Sequence, residues 1–322
     1  MKLRIAFSDF WAGFDPETKW FFPLISQKYD VEIVGPQEYP DILLYSYFGS
    51  DHLFSNARKR LYFTGENDVP DFNLCDYAIS FHHLEFGHRH LRLPLYVLYP
   101  CFDILRHGER PKNSFNKKFC SFVVSNGFCS DPHRDEFFHK LSEYKCIDSG
   151  GRHLNNIGGS VEDKHAFLQN YKFNLCFENS AVDGYTTEKL CDALAAGTLP
   201  IYWGNPRVGL DFPKDTFIDV SSFKSDSEAI EYIIKVDSDP SLYAKYFKTD
   251  PIASSQYLDW ESKFYDFFKH IVLNPEPELA SFGIVKTLRE DHRLKERLHR
   301  VKLFRDNIDK IEKLAALKRR IL

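Results

Sequence analysis

Residues 172–206 have the sequence KFNLCFENSAVDGYTTEKLCDALAAGTLPIYWGNP, and this stretch decides the fold. Its first apolar run predicts a buried strand, a polar loop leads into a helical pattern at 186–197, and Gly197 precedes a second strand. In a parallel sheet this loop lies at the carboxyl edge, where the N-terminus of the helix favours anions. The segment therefore predicts a parallel α/β sheet that holds a phosphate-bearing ligand.

Polar side chains cluster in this loop and in the first turn of its helix. Lys189 stands where a cation opposes the helix dipole, at a cost of roughly a few tenths of a kcal/mol that is explained if its ammonium faces a phosphate. A solvated surface lysine is the alternative. The chain contains neither GxxxxGK[ST] nor GxGxxG after a strand, which disfavours P-loop proteins and dehydrogenases. The cluster comprises Glu178, Asn179, Ser180, Tyr185, Thr187, Glu188 and Lys189.

The same alternation of strands and helices extends on both sides of this segment. A length of 322 residues exceeds what one hydrophobic core usually organises, so two α/β domains with a cleft are expected. The alternation is lost at 100–118, which is rich in Arg, Lys, Gly and Pro and is predicted to be the linker. We therefore place an N-terminal domain at 1–115 and a C-terminal domain at 116–275.

The last segment, 276–322, differs in composition from the rest of the chain. From residue 284 onward it carries 13 Lys and Arg against 6 Asp and Glu, and its apolar residues recur in steps of three and four. It is predicted to be a basic amphipathic helical tail that self-associates, lies on an anionic membrane surface, or packs on the body. Because the remainder is acidic, no nucleic-acid partner is expected.

Cysteine spacing and hydropathy predict a cytoplasmic location. The seven cysteines show no CxxC pattern and are interpreted as reduced thiols, and no apolar run approaches the ~18 residues of a membrane span. No metal site is predicted. Asp237-Ser238-Asp239 is interpreted as a turn or helix cap, and one histidine-rich group has spacings that fit no closed zinc site. That group is His82, His83, Glu85, His88 and His90.

The stretch FENSAVDGYTTEKLCDALAAGTLPIYWGNP at 177–206 resembles the signature of the α1,3/4-fucosyltransferases of glycosyltransferase family 10, most closely their Helicobacter-type branch. Similar stretches cover most of residues 60–220 in the expected order, which makes the resemblance far more specific than a short motif. They are YFTGENDVPDFNLCDYAISF at 62–81, RHLRLPLY at 89–96, SFVVSN at 121–126 before a helix with Arg134, and DSGGRHLNN at 148–156.

The resemblance implies a GT-B-like fold, in which two Rossmann-like domains face a central cleft and the second binds GDP-fucose. It implies inversion at the fucose carbon without a required metal, a divalent ion being at most stimulatory. Matching positions make Glu66 the catalytic base. The family's donor-binding arginine corresponds to Arg152 in most members. In the Helicobacter type that arginine occupies the position where this chain has Leu154. The other donor residues are Asn179, Tyr185, Glu188 and Lys189, with Glu188 also favouring the cation-like ring.

The expected activity is that of an α1,3(/4)-fucosyltransferase, moving L-fucose from GDP-fucose to the 3-hydroxyl of GlcNAc in a LacNAc-type acceptor. Such transfer builds Lewis antigens on lipopolysaccharide O-chains or oligosaccharides. The tail would hold the enzyme peripherally on the inner membrane or form a homodimer. Two alternatives are a GT-B transferase that uses another nucleotide sugar and a non-catalytic nucleotide-binding scaffold, which would have no need of Glu66.

Overall fold

The computed structural model describes residues 2–127 and 130–278. Of the tail predicted for 276–322, only the first three residues are described, so its helix and its contacts lie outside the described residues. Cys129 also lies outside them, and the six described cysteines are free thiols. No helix within the described ranges combines the length and the apolar character that crossing a membrane requires.

Two parallel sheets form the framework, which confirms the predicted parallel α/β fold. The first sheet has the strand order β2-β1-β3-β4-β5-β6, and all of its neighbouring strands are parallel. Its short edge strand β6 was not predicted, since three residues with a charged end carry little pattern. The strands are β1 Leu3–Ser8, β2 Val31–Ile33, β3 Ile42–Tyr45, β4 Lys59–Phe63, β5 Tyr77–Ser80 and β6 His90–Arg92.

The second sheet has the strand order β11-β10-β9-β7-β8 and is also parallel throughout. All seven residues of its central strand β9 are buried. Cys176 on one face joins the core shared with the first sheet, whereas Phe173 and Phe177 on the other join a second core. A strand covered on both faces explains the uninterrupted apolar run. The strands are β7 Lys118–Phe122, β8 Ile147–Ser149, β9 Tyr171–Phe177, β10 Leu199–Trp203 and β11 Ile218–Asp219.

Eight α-helices connect and cover these strands in the described ranges. They are α1 Phe21–Ser26, α2 Pro100–Arg106, α3 His133–Ser142, α4 Lys164–Leu168, α5 Glu188–Ala195, α6 Asp226–Ser238, α7 Pro240–Lys245 and α8 Trp260–Leu273. Six short 3-10 helices lie at Asp51–Phe54, Gly87–Arg89, Leu95–Leu98, Val208–Leu210, Lys214–Thr216 and Val220–Ser222.

Caps and side-chain burial explain where several helices begin. The Asp239 carboxylate accepts the backbone N–H groups of Ser241 and Leu242 at the start of α7, which confirms the predicted cap. The prediction of a linker at 100–118 is wrong for α2. Pro100 is tolerated in the first turn of that helix, and Phe102 is fully buried in the core shared with α5.

The helix α8 follows the second sheet in sequence but packs against the first sheet. Phe264 stacks on Phe21 at a ring-centroid distance of 5.1 Å, and Phe268 meets Tyr29 at 5.7 Å. Lys59 in β4, only 4% exposed, donates to backbone carbonyls at the end of α8. The chain therefore leaves the first sheet, builds the second, and returns to cover the first.

A buried ion pair also joins the two halves. Arg92 at the end of β6 donates from both terminal nitrogens to Asp211, at 2.9 and 3.0 Å, and it also bonds the Tyr257 hydroxyl. The Asp211 side chain is fully buried. A bidentate pair with an additional partner meets the conditions under which a buried ion pair offsets its desolvation cost.

We predict that Arg92→Met lowers the free energy of unfolding by about 3 kcal/mol or more, because it leaves the Asp211 carboxylate buried without its cation. Urea unfolding of the full chain measures the loss. The matched control is Arg207→Met, which breaks an ion pair to Asp183 whose two side chains are about half exposed, and it should cost far less than Arg92→Met. Equal losses in the two variants would contradict the prediction.

Candidate active site

Glu66 lies directly after β4, at the carboxyl edge of the first sheet. Its backbone N–H donates to the Thr64 hydroxyl at 3.0 Å, which fixes the turn that carries it. A Cβ atom at the intervening Gly65 would come within 2.7 Å of a Leu95 methyl group, so a larger residue there would displace that side chain. The Glu66 side chain is therefore presented from a tightly packed turn, and it is half-buried.

A cavity of about 310 Å³ opens beside the Glu66 carboxylate. Its walls are largely aromatic, and the rings contact one another: Trp11 and Trp20 lie 5.4 Å apart between centroids, and Trp20 and Phe63 lie 5.2 Å apart. The acidic side chain of Glu66 thus lies in the wall of a largely aromatic cavity. The lining residues are Trp11, Trp20, Ser46, Phe48, Phe63, Gly65, Glu66, Leu95 and Tyr99.

Glu178 organises the loop that joins β9 to α5 in the second sheet. Its carboxylate is fully buried and accepts hydrogen bonds from the Thr187 backbone at 2.7 Å, the Thr187 hydroxyl at 2.7 Å and the Lys189 ammonium at 3.0 Å. Sequence analysis placed Glu178 in the polar cluster without assigning it a role. The structure makes it the anchor of the N-terminus of α5.

Lys189 stays a cation in this setting. Burial alone would lower the pKa of its ammonium, but the carboxylates of Glu178 and Glu188 outweigh burial and raise it. Its Nζ atom lies 2.8 Å from the Thr187 hydroxyl and 4.0 Å from Glu188 Oε1. Lys189, whose charge opposes the helix dipole, is therefore stabilised mainly by the buried carboxylate of Glu178.

Glu188 lies between two ammonium groups. Burial raises the pKa of its carboxyl, but Lys189 and Lys164 outweigh that effect, and the pKa is lowered. Lys164, the first residue of α4, is 4.0 Å from Glu188 and 2.6 Å from Asp192, one turn further along α5. Lys164 and Asp192 were not predicted as site residues, because no local pattern indicates that α4 and α5 lie side by side.

Asn179 is held by a buried arginine. Arg134 in α3 is fully buried and donates to the Asn179 side-chain oxygen at 3.0 Å, to the Asn126 carbonyl at 2.8 Å and to the Ser130 hydroxyl at 2.8 Å. Its bonds fix both the loop after β7 and the loop after β9. Sequence analysis noted Arg134 only as part of a resemblance, since burial cannot be inferred from an Arg in a polar helix.

Tyr185 links the loop of the second sheet to the first sheet. Its ring is buried and lies 4.9 Å from the ring of Phe81, just past β5. The neighbouring Gly184 has φ +80°, and a Cβ atom there would come within 2.7 Å of the Phe81 carbonyl oxygen. Glycine is therefore required both by conformation and by the closeness of the two backbones. This contact brings the loop between β9 and α5 against the end of β5 in the first sheet.

Arg152 lies on a different loop from these groups. It follows β8, is exposed, and forms no ion pair with any residue in the described ranges. The preceding Gly151 is required by space, since a Cβ atom there would fall 1.9 Å from the Val124 carbonyl oxygen. Leu154 has φ +52° and packs against the second core. Of the predicted donor residues, Arg152 is the exposed one, and no ion pair in the described ranges joins it to the others.

The charges of Lys189 and Glu188 at the N-terminus of α5 act on the Glu66 carboxyl in the first sheet. The pKa of Glu66 is raised above its ordinary value of 4.5, first because the carboxyl is partly buried. The Lys189 charge opposes that rise, and the Glu188 charge adds to it. The structure therefore brings together Glu66, Tyr185, Glu188 and Lys189, with Asn179 held beside them through Arg134.

Family models match both halves of the chain. Residues 5–99 match the Alpha-(1,3)-fucosyltransferase FucT N-terminal domain, and residues 113–270 match Glycosyltransferase family 10 (fucosyltransferase) C-term. The chain therefore belongs to glycosyltransferase family 10, the fucosyltransferases, as the sequence resemblance predicted.

Within this family the chain is similar to Alpha-(1,3)-fucosyltransferase FucT of Helicobacter pylori, with 34% identity over 84% of this chain and 66% of that protein. It is 32% identical to GDP-fucose protein O-fucosyltransferase 3 of Xenopus tropicalis over 52% of this chain and 40% of that protein. It thus spans less than two thirds of either. A crystal structure of α1,3-fucosyltransferase with GDP-fucose superposes with a TM-score of 0.72 and 30% identity, covering 85% of this chain and 91% of that one.

The electrostatic effect of Lys189 and Glu188 on Glu66 predicts how the Glu66 carboxyl titrates. In the native chain it should titrate above pH 4.5. Lys189→Met should raise that pKa further, because a stabilising positive charge is lost, whereas Glu188→Gln should lower it, because a repelling negative charge is lost. Carboxyl-carbon NMR titration of glutamate-labelled protein measures this, with Glu66→Gln assigning the signal. If neither substitution moves the pKa, the two sides do not share one site.

Proposed function

We propose that this chain transfers L-fucose from GDP-fucose to an acceptor hydroxyl by a single inverting displacement in a GT-B-like cleft. The observation that carries the proposal is the coupling of one carboxylate, Glu66, on the first sheet to the helix N-terminus that bears Glu188 and Lys189 on the second. An inverting transfer needs a base on one side of the reacting carbon and a site for the departing diphosphate on the other.

The donor diphosphate would bind at the N-terminus of α5. The positive end of the helix dipole favours an anion there, and Lys189 adds a fixed charge. Lys189 is paired with Glu178 and Lys164 with Asp192, so the exposed Arg152 would supply additional positive charge beside these two ammonium groups. Cations fixed in advance stabilise a developing negative charge without reorganisation. No metal ion is needed for this step as proposed.

Glu188 and the held side chains of the loop would orient the donor sugar. Glu188 stays ionised because two ammonium groups lower its pKa, so it can accept a sugar hydroxyl and favour positive charge on the ring. Asn179 is fixed by Arg134, and Tyr185 is fixed against Phe81, so both can position the nucleotide sugar with little loss of freedom.

The acceptor would bind in the aromatic cavity beside Glu66. Sugar rings carry an apolar C–H face that packs on aromatic rings, and Trp11 and Trp20 offer such surfaces. The raised pKa of Glu66 makes it a better base than an exposed carboxylate, because proton transfer is most efficient when the pKa of the base is near the working pH. We infer that Glu66 removes the proton of the attacking hydroxyl.

We further propose the 3-hydroxyl of GlcNAc in a LacNAc-type acceptor. The similarity to the Helicobacter α-(1,3)-fucosyltransferase extends over 84% of the chain, and the FucT N-terminal domain model at 5–99 contains every residue that lines the aromatic cavity. The similarity to a protein O-fucosyltransferase extends over about half of it, so a peptide hydroxyl is the second candidate. Peripheral attachment to an inner membrane, or a homodimer, belongs to the same proposal and depends on residues beyond Glu278.

Incubation with GDP-fucose and a panel of type 1 and type 2 disaccharides and one acceptor peptide tests the proposal, with product mass and linkage as the readout. Calorimetry with GDP and UDP tests the base specificity of the donor site. Fucosylated disaccharide from the type 2 acceptor supports the proposal. Transfer from a different nucleotide sugar, or tighter binding of UDP than of GDP, overturns the choice of donor.

We predict that Glu66→Gln lowers kcat about 10²–10⁴-fold while GDP-fucose binding stays unchanged, because only the proton transfer is lost. Steady-state kinetics and calorimetry measure the two quantities. Glu85→Gln is the matched control, since Glu85 is an exposed glutamate of the same domain and its removal should leave kcat within about twofold. A non-catalytic scaffold would show no turnover in the native chain and no difference between these variants.

A second prediction concerns the donor cations. Arg152→Met should weaken GDP binding about tenfold without changing the melting temperature, because the side chain is exposed and a charge-assisted bond to phosphate is lost. Calorimetry measures the affinity. Lys140→Met, which removes an exposed cation of α3 paired with Asp226, is the control and should leave the affinity unchanged. Unchanged GDP affinity in Arg152→Met would remove Arg152 from the donor site.

A further inference from the structure

Three metal-binding side chains from distant parts of the chain meet at the edge of the first sheet. His88 lies in the 3-10 helix that precedes β6, His270 lies in α8, and Glu278 follows α8. One ligand atom from each of the three lies within 4.8 Å of the others. The group shares no residue with the candidate active site.

The contacts within this group leave one buried ring nitrogen without a hydrogen-bond partner among the described residues. His88 Nε2 is 2.9 Å from Glu278 Oε1, and the rings of His88 and His270 lie 4.3 Å apart between centroids. His270 Nε2 is buried, and it has no hydrogen-bond partner among the described residues. A buried ring nitrogen without a partner costs free energy unless another group satisfies it.

Two imidazoles and a carboxylate form a donor set that suits Zn²⁺, and the fourth position is then filled by water. Zinc bonds of about 2.0–2.2 Å at tetrahedral angles hold ligand atoms about 3.3 Å apart. The His88–Glu278 distance of 2.9 Å is close to that spacing, and all three ligand atoms lie within 4.8 Å of one another. His88 is 56% exposed and Glu278 is 25% exposed, so an ion can enter from solvent.

Groups around the three side chains fix their positions. The Asn274 amide donates to Glu278 Oε1 at 2.8 Å and to the Tyr77 hydroxyl at 3.0 Å. The ring of Tyr77 also packs edge-on against the ring of His270 at 6.1 Å. Such outer contacts orient ligands and commonly change metal affinity by about 10–100-fold.

We propose that His88, His270 and Glu278 bind one Zn²⁺ ion that fastens the segment after α8 to the edge of the first sheet. The site is structural, and it takes no part in the transfer reaction. The histidine-rich group that the sequence analysis rejected as a metal site contributes only His88. The other ligands come from α8 and beyond, a juxtaposition that local spacing cannot reveal.

Competition with a chromophoric chelator tests the proposal on the full chain after treatment with EDTA and dialysis, using Zn²⁺ as the probe. We expect one ion per chain and a rise in melting temperature on adding Zn²⁺. His88→Gln and His270→Gln should each weaken binding at least about tenfold and reduce that rise. Co²⁺ in place of Zn²⁺ should give the visible absorption of a tetrahedral nitrogen and oxygen site.

The control is His139→Gln, which removes an exposed histidine of α3 and should leave Zn²⁺ affinity unchanged. His88 is exposed, so His88→Gln is expected to fold, and its melting curve without metal verifies this. Absence of stoichiometric binding, or equal affinity in the native chain and in both histidine variants, overturns the proposal. Fucosyl transfer can succeed or fail independently of either result.

Discussion

The carboxylate of Glu178 is the interaction on which the site depends. It is buried at the end of β9, where it receives two bonds from Thr187 and one from Lys189, and so it fixes the point at which the strand becomes the helix α5. A buried carboxylate needs such donors, and an ammonium at a helix N-terminus needs such a counter-charge. Each compensates the unfavourable placement of the other, and the result is a fixed N-terminus of α5 that carries an ammonium group paired with a buried carboxylate.

Much of the framework could be predicted from the sequence because the determining patterns are local. The run KFNLCF is apolar at every position apart from its lysine and one asparagine, as a strand covered on both faces requires. The cap at Asp239 likewise follows from residues directly beside it. The helix α2 was missed because its proline and the basic, glycine-containing residues after it favour a loop, whereas burial of Phe102 against α5 stabilises a helix. Tertiary packing therefore determines the conformation of that segment.

The residues of the candidate site likewise divide into those that local sequence predicts and those that only tertiary contacts bring in. Glu66, Glu188 and Lys189 follow strands or begin a helix, so sheet geometry and the family resemblance both locate them. Lys164 and Arg134 act on that site from α4 and α3, and nothing in their own segments indicates the contact. Arg152 matches the family motif, yet its side chain forms no ion pair within the described part of the chain. Motif position therefore predicts which loop carries a residue better than it predicts where the side chain points.

The return of α8 to the first sheet affects how the chain is made. Residues 3–92 supply six strands, but the helix that covers part of their core ends at Leu273. At about 5–20 residues per second, a ribosome needs roughly 9–36 s to synthesise the intervening segment. During that interval the apolar surface that will receive Phe264 and Phe268 has no cover from its own chain. The nascent first half should therefore be a preferred client of chaperones that bind hydrophobic surface, until the second half is released.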